Sequence, residues 1–197
     1  MLGLVVAISL VGAGPPLGAE AVTVQPTATT MVADFDRHGW RTNAGDPFGT
    51  WDVDPDDPTQ RCRARLVEEP RVGESGYSLM LDYDVESPNP AFNGFWMKLP
   101  SLRLHAYHAL TFTIKGDPER GFTERVKLEL KDGRRAAIYQ LEGIRAEWVR
   151  MRIPLSAFRD IEKLRAATEF VVVFDDQTAT EQVGTLYLDE VAFEPGP

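Results

Sequence analysis

The chain has 197 residues, 43% of them apolar and 26% charged, with a formal net charge of −9. That length is one ordinary domain around one core, and the composition excludes a wholly disordered chain. Acidic and basic residues are mixed along the sequence instead of gathering into a basic face, so neither nucleic acid nor an anionic lipid surface is an expected partner.

The first element is a small-apolar run from Leu2 to Ala13, broken at Gly14-Pro15-Pro16 and followed by Ala19-Glu20-Ala21. This is the pattern of a signal peptide cut after Ala21, although no Lys or Arg precedes Arg37. About a dozen apolar residues are too few for a bilayer core, which takes roughly 20 in a helix, so no transmembrane segment is expected in the mature chain. The expected organisation is a signal peptide over residues 1–21, a short linker over 22–30 and one folded domain over 31–197, with the protein secreted or periplasmic.

From Met31 onward, short apolar runs are punctuated by Gly, Pro, Asn and Asp, which is the pattern of an all-β sandwich. Strands are expected at Ser78 to Val85, Gly94 to Leu99, Ala109 to Lys115, Arg125 to Lys131, Ala136 to Leu141, Trp148 to Ile153, Glu169 to Phe174 and Gly184 to Phe193. Leu110, Phe112 and Ile114 alternate with Thr111, Thr113 and Lys115, so one face is buried and the other wet. Val126, Leu128 and Leu130 against Lys127, Glu129 and Lys131 repeat the pattern. Phe170 to Phe174 is apolar on both faces, as in a central strand covered on both sides. Lys131-Asp132-Gly133 signals a tight turn. Leu155 to Phe158 and Ile161 to Leu164 are the expected helical turns, with Ser156 or Asp160 as caps.

The sequence holds no Walker loop, no G-x-G-x-x-G, no G-x-S-x-G elbow and no H-E-x-x-H, and a non-catalytic role is expected. Cys62 stands alone, which excludes an intrachain disulfide, and no His lies near it in sequence. His105 and His108 precede a strand and read as surface loop residues. Among the carboxylates, Asp189 interrupts the apolar run Leu186-Tyr187-Leu188, and a buried carboxylate needs a partner. First and last strands of a sandwich commonly lie close together, so Asp34 or Asp36 with Asp189 would form an oxygen cage for structural Ca2+; a hydrogen bond to backbone is the other solution.

Sugars present C–H faces that stack on indole and phenol rings, and their hydroxyls need planar polar partners around that platform. Trp96 alternates with Phe95, Met97 and Leu99 and therefore points away from the side those three occupy. Tyr139, Arg150, Arg152, Glu129 and Asp175 are expected to line a wet face in the same way, and with Trp96 make the candidate ligand set. Trp40, Trp51 and Trp148 read as plugs at the sandwich ends.

Taken in order, Met31 to Asp36, Gly45 to Trp51, Ser78 to Val85, Phe92 to Pro100 and Gly184 to Val191 resemble the galactose-binding-like jelly rolls, in particular family 11 carbohydrate-binding modules and the complex I intermediate-associated family. The resemblance implies a jelly roll of two antiparallel sheets, a β-glucan-type polysaccharide or oligosaccharide in a cleft on the concave sheet, and calcium near the termini, with Asp34, Asp36 and Asp189 at the matching acidic positions. A protein partner in the cell envelope, on the same fold, is the alternative.

Overall fold

The computed structural model describes residues 28–36 and 39–196. The expected signal peptide, and the linker as far as residue 27, lie outside the described residues. Eleven strands are present among them: β1 (Thr30–Ala33), β2 (Phe48–Asp52), β3 (Arg61–Val67), β4 (Ser78–Asp84), β5 (Phe92–Leu102), β6 (Tyr107–Gly116), β7 (Arg125–Asp132), β8 (Arg135–Glu142), β9 (Val149–Pro154), β10 (Ala167–Asp175) and β11 (Val183–Pro195). They form two antiparallel sheets: one ordered β3-β4-β11-β6-β9 with β1 also paired to β11, the other β2-β5-β10-β7-β8. This is the all-β sandwich the alternation requires.

The two inner faces supply the core. Phe95 and Met97 of β5, Leu128 of β7 and Phe170, Val172 and Phe174 of β10 face Leu79, Leu81 and Tyr83 of β4, Phe112 of β6 and Leu188 of β11, all essentially without solvent contact. Tyr83 lies stacked on Phe174 with ring centroids 4.1 Å apart, and Phe112 meets Phe170 at 6.2 Å. Each such side chain contributes about 1.5–3 kcal/mol relative to an exposed one, so the inter-sheet layer and not any surface ion pair fixes the fold.

β10 is the central strand of the five-stranded sheet, and Val171 and Val173 on its outer side are as buried as the core residues that alternate with them. The β7–β8 connection is a two-residue hairpin turn, with Gly133 at φ 59 where a β-carbon would be strained. Gly94 serves a different need. A β-carbon there would lie 2.1 Å from the Val172 backbone oxygen, and a carbonyl within a ladder cannot retreat. Gly94→Ala is therefore expected to destabilise the domain by about 1–3 kcal/mol, read as a lowered midpoint in thermal or urea unfolding.

Three strands, β1, β2 and β3, go beyond those expected. The helical turns are 3-10 turns at Leu155–Ala157 and Ile161–Lys163, but neither Ser156 nor Asp160 caps them through its side chain; the Asp160 carboxylate instead pairs with Lys163 at 2.7 Å. His105 sits in a 3-10 turn over Leu104–Ala106, whereas His108 is inside β6 and not in a loop.

Candidate functional site

The outer face of the five-stranded sheet carries an open groove of about 350 Å3 lined by Trp51, Trp96, Lys98, Lys131, Glu169 and Val171. Strand alternation and register bring these together. Phe48 is buried opposite Met97, so on β2 Gly49 and Trp51 point outward, beside Trp96 and Gly94 of β5. On β5, Trp96 and Lys98 point outward; Val171 and Glu169 of β10 lie directly across from them, and Lys131 of β7 across from Glu169. The apolar floor is Val171 and the walls are the two indoles.

Trp96 is held on two sides. A β-carbon on Gly49 would sit 3.1 Å from its ring, so the glycine leaves room for the indole, and the Lys98 ammonium lies 5.7 Å from the ring centroid. Trp51 is braced by Phe92, edge-on at 5.8 Å. The charges alternate across the strands: Lys98 bonds Glu169, Lys131 lies 3.8 Å from Glu169 and 3.3 Å from Glu129, and Lys127 lies 3.3 Å from Glu129. At this half-exposed surface the pairs add little stability, but they present fixed donors and acceptors above an apolar floor.

Of the six expected ligand residues, Trp96 and Glu129 share this face, and alternation along β10 puts Asp175 on the same side, across from Phe92. Asp175 ends β10, and its carboxylate is spent on the turn, accepting from the backbone N–H groups of Gln177 and Thr178 and from the Thr178 hydroxyl. Tyr139 is not on the wet face. It lies opposite Leu128 and packs against Phe158 at 5.5 Å, because β8 pairs in a register that turns Ile138 outward instead. Arg150 and Arg152 belong to β9 in the other sheet, 3.6 Å from Glu190 and 2.7 Å from Glu194. The groove residues that sequence reading did not assign to a ligand set are Trp51, Lys98, Lys131, Glu169 and Val171. The alternation of Phe48-Gly-Thr-Trp-Asp places Trp51 out of phase with a core phenylalanine, which is the one local signal for it.

At the other end of the fold, β1 pairs with β11, so the first and last strands do adjoin. Asp189 is buried at 2% exposure, just before a bulge at which Glu190 takes a positive φ of 51. Its carboxylate accepts from the Val72 and Glu190 backbone N–H groups at 3.0 and 2.8 Å. Burial, with the negative charges of Asp36 and Glu190 adding to it, pushes its pKa up to about 7. The three aspartates do not converge, however: among the described residues no group of three His, Cys, Asp or Glu side chains is placed to hold a metal ion. Asp34 is taken up by Asn43, whose amide donates to it at 2.6 Å, while Asp36 accepts from the Tyr77 backbone N–H at 3.3 Å.

No family model matches the chain, and no curated protein matches it in sequence. Solved structures do match the fold. A family 11 carbohydrate-binding module of a cellulosomal cellulase of Clostridium thermocellum superposes with a TM-score of 0.62 at 14% identity, over 87% of this chain and 96% of that one. The same module family in complex with a β-1,3-1,4-mixed-linked tetrasaccharide gives equal values over 98% of its length. A family 22 xylan-binding domain from Paenibacillus barcinonensis matches with a TM-score of 0.57 at 12% identity, over 88% and 97% of the two chains. At such identity the likeness shows the fold: a two-sheet antiparallel sandwich of the kind found in family 11 and family 22 carbohydrate-binding modules.

Proposed function

We propose that this protein binds carbohydrate without transforming it, holding an extended polysaccharide or oligosaccharide of β-glucan type along the outer face of the five-stranded sheet. The observation that carries the reading is the groove in which Trp51 and Trp96 stand over a Val171 floor among Lys98, Lys131 and Glu169. Indole faces offer stacking surface for sugar C–H groups, and the ammonium and carboxylate groups offer donors and acceptors for hydroxyls. The fold it shares with carbohydrate-binding modules agrees with this use. Glu129 and Glu169 point the same way off adjacent strands instead of facing each other across a cleft, which favours binding over glycoside hydrolysis. The apolar run Leu2 to Ala13 supports export, to the periplasm or beyond, where polysaccharide is met.

The same proposal includes a cation at the β1–β11 end, held by Asp36 and Asp189. Its support is the donor chemistry: a buried carboxylate with a second carboxylate near it and, among the described residues, no cationic side chain bonded to it. Bound calcium would supply the missing positive charge.

The test is affinity electrophoresis of the full chain through a panel of soluble β-glucans, xylans and other polysaccharides. Retarded migration in at least one β-linked glycan is the expected result; migration unchanged in every glycan would move the assignment to a protein partner in the cell envelope. Tyr139→Ala belongs in the same gels as a contrast. It is expected to lower the thermal midpoint, costing about 1–3 kcal/mol from the Phe158 contact, while leaving retardation at the wild-type level.

A further inference from the structure

Beyond Lys98 the groove's two central strands run into a second recess, of about 580 Å3, lined by Ser101, Arg103, His105, Leu164, Arg165 and Ala166. Its lining contains two guanidinium groups, an imidazole and a hydroxyl, and no carboxylate, in a chain whose net charge is −9. Among the described residues the side chains of Arg103, His105 and Arg165 make no hydrogen bond and no ion pair. The nearby carboxylate of Asp132 accepts from the backbone N–H of Arg165 at 3.2 Å, not from its guanidinium. This contrasts with the groove proper, where every lysine has a glutamate beside it.

The backbone is shaped to make this recess. Lys98 pairs with Glu169 and Leu102 with Ala167, so four steps along β5 answer two along β10, and the extra residues form a bulge. Within it Ser101 holds a φ of 53, a conformation that non-glycine residues adopt at a cost and that clusters at ligand sites. Ser101 is three residues past Lys98, about 10 Å along a strand, so the recess is within reach of a glycan lying across Trp96 and Lys98.

We propose that this recess receives an oxyanion carried on the glycan, a uronate-type carboxylate or a sulfate ester, and that the ligand is an acidic polysaccharide. The assignment rests on the groove being the sugar site and names the class of sugar it takes. Guanidinium forks bind planar and tetrahedral oxyanions through paired, charge-assisted hydrogen bonds, and unpaired guanidiniums have no internal bond to give up first.

The experiment compares the full chain's affinity for soluble mixed-linkage β-glucan with that for its carboxymethylated and its sulfated derivatives, by isothermal calorimetry. Wild type, Arg103→Ala/Arg165→Ala and Arg61→Ala are measured, the last removing an unpaired cation of β3 in the opposite sheet. The expected result is binding of one or both acidic derivatives about tenfold or more tighter than the neutral glycan, with the advantage lost in the double variant and kept in Arg61→Ala. The derivative that gains identifies carboxylate or sulfate as the anion. Equal affinity for all three glycans, or an acidic preference that survives the double variant, would overturn the recess as an anion site while leaving the groove's sugar binding standing. An acidic preference lost equally in Arg61→Ala would reduce it to non-specific attraction. Absence of binding to all three would overturn both readings. Both arginines are exposed, so the double variant is expected to keep the wild-type melting temperature, which is checked first.

Discussion

At pH 8 and in the absence of divalent cations, Asp189→Asn is expected to melt at a higher temperature than the wild-type chain. Burial raises the folded pKa of the wild-type carboxyl to about 7 from its ordinary value of 3.8, so between those values the native state binds more protons than the unfolded one. Stability therefore falls as pH rises through this window: the carboxyl costs nothing below about pH 4 and its full penalty above pH 7, on the order of 4 kcal/mol at most. Asparagine keeps an oxygen for the Val72 or Glu190 N–H group and removes the charge, giving up one of the two backbone hydrogen bonds at about 0.5–1.5 kcal/mol. The net gain at pH 8 is then about 1–3 kcal/mol, vanishing or reversing at pH 4. Millimolar calcium provides the second arm. If Asp36 and Asp189 hold the cation, calcium stabilises the wild type and not the variant, and the order of melting temperatures inverts. A wild type that melts identically with calcium and with chelator removes the cation from the proposal, and a wild type whose stability is flat from pH 4 to pH 8 contradicts the burial of an unneutralised carboxyl.

The fold was legible in the sequence because a two-layer sandwich writes its inner face as period-two alternation. Leu110, Phe112 and Ile114, and Val126, Leu128 and Leu130, lie where alternation puts them. The strands that escaped are those whose alternation is broken by polar or glycine residues. β3, Arg61-Cys-Arg-Ala-Arg-Leu-Val, buries mainly Cys62 and carries arginines at its exposed positions, and β2 keeps Phe48 inward while turning Gly49 and Trp51 out. The site was legible only by halves. Trp96 and Glu129 could each be assigned an outward direction within their own strands, but which outward faces coincide is a property of sheet membership. Arg150 and Arg152 alternate as cleanly as Lys127 and Glu129, yet β9 joins β6 in one sheet and β7 joins β10 in the other. Tyr139 shows the second obstacle. Its neighbours Ile138 and Gln140 leave the phase of β8 ambiguous, and the pairing of Leu128 with Tyr139 decides it, since a slip of one residue exchanges the two faces. Asp189 shows a third: the interrupted apolar run gives away a buried carboxylate, while the bulge and the positive φ of Glu190 that aim two backbone N–H groups at it leave no mark in the residue types.

Removal of one indole is expected to have the largest effect on binding, and the two tryptophans are not equivalent. Trp96 is preorganised: its ring lies over Gly49, beside Lys98 and across from Val171, so little freedom remains to be lost when a sugar stacks on it. Trp51 has only the edge of Phe92 as an aromatic brace and stands on an edge strand. Trp96→Ala is therefore expected to weaken glycan binding by about 30-fold or more, the 2 kcal/mol expected of a central aromatic anchor, and Trp51→Ala by less. Both residues are half-exposed, so the melting temperature serves as the control for folding. Gly49→Ala tests the geometry without touching the ring. An added methyl 3.1 Å from the indole forces it to shift by a few tenths of an ångström, and the affinity should fall in between if the ring's placement matters and not merely its presence. Binding by Trp96→Ala at wild-type strength would remove the outer face of this sheet as the sugar site. A double variant no weaker than Trp96→Ala alone would mean that the second indole acts only through the first, because two independent stacking positions should lose affinity additively.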